Sequence, residues 1–448
     1  MGLVAVLADA LSSAPRLALA LVVICACALA AGRLGARLGQ PRVIGEIAAG
    51  IALGPSLLGA LSPRLLHALF PADLLGKLDA LANVGVILFV FLVGVEFDRE
   101  AARGRWRLIG SLAGANFVVP LLLGVAIAFP LFSRLGGPTA PRGAFVIFLG
   151  VAVAITAFPV LAAILDELGL SAQPLGRLAL AAAALTDVAA WSLLAFAAAE
   201  AGSGQRSAAA ARLLETAALA AGVLLAGRPL LQRLLRALHP SLLPVLHPLV
   251  GVALALGLAT LTRRIGVSVV FGALLAGVCV GAPAGGGRRV LERVRWLNRG
   301  LLLPIFFAAT GLRIDLGSAG SVALLAPAAL VLAAATCGKV GAVVLTARAG
   351  GLVWRDSLGL GFLLNTKGLT EIVVLRLGYD LGLLSRDALG VLILVALATT
   401  AAAVPALRLL GVAPARGAGA RRAAATRPPA LRGPSPADPV DGAPGSDP

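Results

Sequence analysis

Broken wherever Arg, Pro and Gly cluster, the sequence falls into thirteen apolar segments. They lie at about 16–38, 43–60, 79–97, 107–130, 143–166, 175–200, 210–226, 244–262, 266–282, 299–312, 322–346, 355–379 and 387–411. A membrane helix needs about 20 predominantly apolar residues, so the pattern predicts an all-α polytopic membrane protein of about 13 transmembrane helices. The second and tenth segments are short for a straight span, as partly merged or tilted helices are, and twelve is the rival count. The first apolar run follows Arg16 and has small residues near its end, as a cleaved signal peptide has. Because a second long apolar segment follows at once, it is read as a span.

The segments divide into a first repeat at 16–200, a linker helix at 210–226 and a second repeat at 244–411. Six helices, a connector and six more of opposite orientation form an inverted repeat. The fifth segment of each half is interrupted near its middle, by Ile155-Thr156-Ala157-Phe158-Pro159 and by Asn365-Thr366-Lys367-Gly368. Pro159 lacks a backbone N–H and frees the carbonyl of Ile155, while Gly368 weakens the other helix. Irregular backbone at membrane depth survives only where protein or a water-filled cavity surrounds it. Paired interruptions in two halves point to a transporter's binding site.

Composition agrees with a lipid environment. The chain of 448 residues is 59% apolar and 13% charged, with a mean hydropathy of +0.97. That is about half the charge of a soluble domain. The net charge of +17 does not imply nucleic-acid binding, because the basic residues stand singly between apolar runs. They read instead as orientation signals. Lys and Arg are about twice as numerous in the odd-numbered loops and the tail as in the even-numbered loops and the N-terminus. The expected topology therefore has the N-terminus outside and the C-terminus cytoplasmic. Residues 412–448, rich in Ala, Arg and Pro, are expected to form a disordered cytoplasmic tail, which leaves 1–411 as the transmembrane domain.

Cys25, Cys27, Cys279 and Cys337 lie in apolar runs and read as free thiols. His67, His239 and His247 have no metal-ligand spacing, so no metal and no cofactor are expected. Asp187 is the sharpest single feature, with two apolar turns on each side. An aspartate at that depth costs roughly 2.5–3.5 kcal/mol and faces a cavity or a partner. A proton and a small cation are alternative ways of neutralising it, and they compete; a structural ion pair with a buried lysine is the other reading. Two of the chain's three lysines, Lys339 and Lys367, also lie inside apolar segments, as does Arg376. An ammonium can release its proton where a guanidinium in practice cannot, which makes Lys339 a candidate for proton coupling. Lys367 reads as structural, offsetting the negative end of a half-helix and pairing with Glu371 at i+4. Glu46 and Glu96, near span ends, are expected to reach water, and Trp191 and Phe158 to serve packing.

Several stretches resemble the monovalent cation:proton antiporter-2 family, within the sodium/proton antiporter fold. They are Pro-Arg-Val-Ile-Gly-Glu-Ile-Ala-Ala-Gly-Ile-Ala-Leu-Gly-Pro from Pro41, Phe-Leu-Val-Gly-Val-Glu-Phe-Asp from Phe91, and Ala-Ile-Thr-Ala-Phe-Pro-Val-Leu from Ala154. Leu-Pro-Ile-Phe-Phe-Ala-Ala-Thr-Gly-Leu-Arg from Leu303 and Leu-Leu-Asn-Thr-Lys-Gly-Leu-Thr-Glu from Leu363 continue the series, so the resemblance runs from about Gln40 to Leu409. It implies a core domain, with crossed, unwound fifth and twelfth helices, that moves against a dimerisation domain in a homodimer.

The resemblance also implies an ion-binding aspartate on the sixth helix, matched by Asp187, and a lysine on the eleventh that pairs with the acidic site, matched by Lys339. Thr156, in the unwound fifth helix, and Thr186 are the candidate hydroxyl ligands. Thr186 is also the main departure, since many relatives carry an acidic residue or asparagine there, and it leaves the proton-to-cation ratio open. Some relatives carry arginine at Lys367. The chain ends without the nucleotide-binding domain of the potassium-efflux branch, so ligand-gated efflux is not expected. The function implied is exchange of Na⁺ or K⁺ for H⁺ at the plasma membrane by alternating access. The alternative is a sodium-coupled organic-anion symporter on the same fold. An enzyme is not expected, because one mid-membrane aspartate without a nucleophile and base supports no such chemistry.

Overall fold

A computed structural model describes residues 2–96, 104–202, 206–237, 242–282, 286–316 and 324–413. Most of the expected tail, from residue 414 on, lies outside the described residues. The chain forms α1 (Gly2–Arg37), α2 (Arg42–Leu53) with a π-helical turn at Pro55–Gly59, α3 (Pro63–Leu69), α4 (Ala72–Val95), α5 (Trp106–Leu135), α6 (Arg142–Ala154) and α7 (Phe158–Glu167). It continues with α8 (Pro174–Gly202), α9 (Arg206–Ala221), a π-helical turn at Gly222–Gly227, α10 (Arg228–Ala237), α11 (Leu243–Ile265) and α12 (Val269–Val280). The last elements are α13 (Gly286–Leu297), a π-helical turn at Asn298–Leu302, α14 (Leu303–Gly311), α15 (Leu325–Ala349), α16 (Trp354–Leu364), α17 (Leu369–Asp380) and α18 (Arg386–Leu409).

Among the described residues, ten helical stretches are long and apolar enough to cross a membrane. Three of the thirteen expected segments are not among them, each for a local reason. Within 266–282, Ser268 caps the start of α12 and Gly281, at φ +71°, follows its end, leaving 12 residues of helix. The segment at 299–312 is the apolar end of a longer helix whose first part, α13, is charged. The segment at 355–379 is divided into α16 and α17. Boundaries shift too. α4 begins at Ala72 rather than 79, because Asp73, Lys77 and Asp79 break the apolar run without breaking the helix, and an acid in the first turn suits the helix dipole. The linker expected at 210–226 runs on to Ala237.

The helices pack in two sets. One gathers α1, α2, α4, α11, α12 and α14, and the other α5, α6, α8, α15, α16 and α18. Stripes of small residues let backbones touch, as is usual where lipid gives helices no hydrophobic reason to associate. A Cβ on Gly50 of α2 would lie 2.0 Å from the Ala308 carbonyl oxygen of α14, and one on Gly311 would lie 2.2 Å from that of Ile47. Gly50→Ala is therefore expected to destabilise the fold by about 1–3 kcal/mol, the usual cost of overpacking. A lower thermal unfolding midpoint in detergent is the readout.

Ion pairs gather at both ends of the bundle. At one end Arg42 pairs with Glu167, Arg295 with Glu96 and Arg299 with Asp166, and Arg408 donates to the Gly39 carbonyl. At the other, Arg313 pairs with Asp79 and Arg386 with Asp315. Between these ends α6 and α7 run almost wholly buried, which brings the first interruption to the centre of the molecule.

Candidate functional site

α6 stops at Ala154, Ile155 is extended, and Pro159 stands in the first turn of α7, where its missing N–H costs nothing. The second interruption follows α16, and α17 resumes after Gly368. The two breaks touch. The Ala157 N–H donates to the Thr366 carbonyl at 3.1 Å, and the Thr156 hydroxyl donates to the Leu364 carbonyl at 2.9 Å. Gly368 makes the crossing possible, since a Cβ there would meet the Val160 side chain at 2.6 Å. Thr400 of α18 braces the second break by accepting from the Lys367 N–H at 2.8 Å and donating to its carbonyl at 2.6 Å.

Two half-helices that end near each other bring two sets of unsatisfied carbonyls, and two partial negative charges, into the interior. Both buried lysines answer this. Lys339 of α15, fully buried, donates to the Ile155 carbonyl at 2.8 Å, the Thr156 hydroxyl at 2.5 Å and the Leu364 carbonyl at 3.4 Å. The carbonyl that Pro159 frees is thus the one Lys339 takes up. Lys367 donates to the Ala152 carbonyl at 2.8 Å and to Glu371 at 2.8 Å. The charge expected to offset a half-helix therefore acts on α6, across the crossing, while Glu371 stands in the first turn of α17.

Asp187 lies near the middle of α8 and is 2% exposed, and among the described residues neither of its carboxylate oxygens has a hydrogen-bond partner of good geometry. The Ser268 hydroxyl at the start of α12 and the Trp191 indole are its polar neighbours. Thr186, one residue before it, donates back to the Ala182 and Ala183 carbonyls. The buried Asn116 of α5 donates to the Thr156 hydroxyl at 3.2 Å and to the Thr186 hydroxyl at 3.4 Å. This amide ties the first break to α8. It is the one amide side chain in the apolar run 107–130, a signal too small to stand out in the hydropathy pattern.

The expected residues thus fall into two groups that share a region. Thr156, Lys339, Lys367 and Glu371 hold the crossing, and Thr186 joins it through Asn116. The expected pairing of Lys339 with the acidic site is corrected: among the described residues its ammonium meets carbonyls and a hydroxyl, because the helix ends claim all three of its protons. Asp187 makes no structural ion pair with a buried lysine. Glu46, expected to reach water, is 8% exposed and packs beside Gly32 of α1. Arg376, counted inside an apolar segment, is exposed near the end of α17, where it pairs with Asp380. Among the described residues no group of three or more His, Cys, Asp or Glu side chains is arranged to hold a metal.

A family profile described as "Sodium/hydrogen exchanger, transmembrane" matches residues 18–410. Over 402 residues the chain is 36% identical to the Na(+)/H(+) antiporter NhaS4 of Synechocystis sp., covering 88% of this chain and 97% of that protein. It is 38% identical over 383 residues to cation/H(+) antiporter 19 of Arabidopsis thaliana, covering 83% of this chain and 46% of that protein, so it spans a little under half of the plant protein's length. Its fold is similar to that of the sodium proton antiporter MjNhaP1 from Methanocaldococcus jannaschii, with a TM-score of 0.58 at 16% identity, covering 90% of this chain and 99% of that one.

Proposed function

The chain belongs to the sodium/hydrogen exchanger family, and from that premise we propose that it is a secondary active antiporter exchanging Na⁺ or K⁺ for H⁺ by alternating access. The observation that carries this reading is the Asp187 carboxylate, buried and among the described residues without a hydrogen-bond partner, one residue from the Thr186 that Asn116 ties to the first helix break. A bare carboxylate inside the membrane is costly. A proton neutralises it, and so does a monovalent cation, but not both together. The loaded site crosses as a neutral unit, whereas the empty, charged site stays where it can be hydrated. Exchange follows from that difference without a covalent step.

The architecture proposed is a thirteen-span inverted repeat in which the set holding α5, α6, α8, α15 and the second break moves against the set holding α1, α2, α4 and α14, in a homodimer in the plasma membrane. The loops after the odd-numbered spans meet at one end of the bundle through Arg42, Glu96, Asp166, Glu167 and Arg299, and their excess of Lys and Arg assigns that end to the cytoplasm, N-out and C-in. The sodium-coupled symporter reading has no counterpart among the relatives named above.

Thr186 and Thr156 add hydroxyl oxygens to the ion's surroundings. Thr156 already accepts from Lys339 and Asn116, so it turns to an ion only when one of them withdraws. That links Lys339 to the cation. An ammonium that loses a proton keeps two donors and gains a lone pair, to which the Thr156 hydroxyl can donate in place of the Leu364 carbonyl. Lys339→Ala is accordingly expected to leave exchange in place but to shift its pH profile and charge stoichiometry, compared with the membrane potential clamped and free. An unchanged profile and stoichiometry would remove the lysine from proton coupling. The reading as a whole is tested in everted vesicles, where addition of Na⁺ or K⁺ should dissipate a preformed pH gradient across an alkali-cation series. A gradient indifferent to every cation would overturn it.

A further inference from the structure

The amide of Asn116 has one end fully used and one end idle. The Thr156 hydroxyl proton is committed to the Leu364 carbonyl, and the Thr186 proton to the carbonyls of Ala182 and Ala183. Both hydroxyl oxygens can therefore only accept from a third group, so the side of the amide that faces them must be its NH₂. Both N–H contacts are made, at 3.2 and 3.4 Å. The other side is then the carbonyl oxygen Oδ1, which is buried and among the described residues has no partner, on a residue that is 0% exposed. An acceptor left without a donor in a dry interior costs about 1–3 kcal/mol. A cation meets that need, because it wants oxygen ligands and offers no competing acceptor.

Asn116 sits where such a ligand is useful. Its amide spans Thr156, in the first break, and Thr186, one residue from Asp187, whose two oxygens are also without partners. A carboxylate alone offers too few oxygens to replace the water around a monovalent ion. We propose that Asn116 Oδ1 is a direct ligand of the transported cation and helps set which alkali ion is accepted, while its NH₂ keeps the two threonines in place. This deepens the antiporter reading and rests on it. A neutral amide oxygen binds a cation but not a proton, so Asn116 favours the cation-loaded form of the site over the protonated one.

Two variants separate the two ends of the amide. Asn116→Leu removes both, whereas Asn116→Asp keeps oxygens and loses the NH₂ donors. In liposomes carrying the full chain, Asn116→Leu is expected to raise the apparent KM for Na⁺ or K⁺ about tenfold, the worth of one good polar contact, and to change the order of preference among Li⁺, Na⁺, K⁺ and Rb⁺. Asn116→Asp is expected to keep the KM at or below that of the wild type. Cation-induced stabilisation of the purified protein in detergent gives a second readout, weakened in Asn116→Leu and retained in Asn116→Asp. An unaltered KM and ion order in Asn116→Leu would overturn the proposal. So would a cation response lost equally in both variants, since that is the signature of a strut acting through its NH₂ alone. Failure of the antiporter reading shows elsewhere, as a wild-type chain that exchanges no cation for protons.

Discussion

Vesicles carrying Asp187→Asn are expected to keep a preformed pH gradient when Na⁺ or K⁺ is added, with proton movement no faster than in protein-free vesicles. The substitution preserves volume but removes the charge and replaces one acceptor oxygen by an NH₂ donor. Because among the described residues the carboxylate oxygens make no ion pair and no hydrogen bond of good geometry, with only the Ser268 hydroxyl and Trp191 indole close by, the fold loses little when the charge goes. The variant is expected to express, to insert and to unfold at or above the wild-type temperature, since burying an amide costs less than burying an unpaired carboxylate. Lost exchange with retained stability is the signature of a functional charge. Asp187→Glu, which keeps the charge on a longer arm, is expected to retain some exchange with an altered ion order.

The second large effect is on stability. Lys367 and Glu371 lie 2.8 Å apart with their side chains 1% and 2% exposed. Removing one member of a buried pair strands the other, at a cost of about 3–5 kcal/mol. Glu371→Gln is therefore expected to lower the thermal unfolding midpoint sharply, because the Lys367 ammonium then keeps only the Ala152 carbonyl and a neutral amide. The double change Lys367→Met with Glu371→Leu is expected to recover much of the loss, since a buried pair replaced by apolar residues of similar size is often neutral. What remains is the Ala152 carbonyl without its donor, about 1–3 kcal/mol. A Glu371→Gln protein as stable as the wild type would contradict the role assigned to this pair.

Much of this was visible in the sequence because membranes make charge conspicuous. Asp187, Lys339 and Lys367 stand out against apolar neighbours, and Pro159 and Gly368 mark backbone that a helix does not tolerate. What the sequence did not display is what lies opposite each group. Lys339 meets Ile155 and Thr156 across 184 and 183 residues of chain, and no pattern within one segment reveals such a partner. The acid was the natural guess for Lys339, because charge suggests charge; the freed carbonyls at the helix ends are stronger claimants at that place. Asn116 was overlooked because a single amide barely lowers the hydropathy of a long apolar run, although an amide at that depth always needs partners. Hydropathy puts the start of α4 late, at Asp79, whereas a helix whose end reaches water carries charges in its first turns without penalty.

The central claim is that one carboxylate holds either a proton or the cation. It is tested most directly by measuring the protons released when the purified protein binds Na⁺ or K⁺ in weakly buffered detergent solution, over a range of pH. Where Asp187 is protonated, linkage predicts the release of at least about one proton per cation bound, and more where Lys339 also gives one up, with the apparent Kd rising as pH falls because protons compete for the same oxygens. Asp187→Asn should release none. Cation binding by the wild type without proton release at any pH, or an undiminished release in Asp187→Asn, would contradict the account.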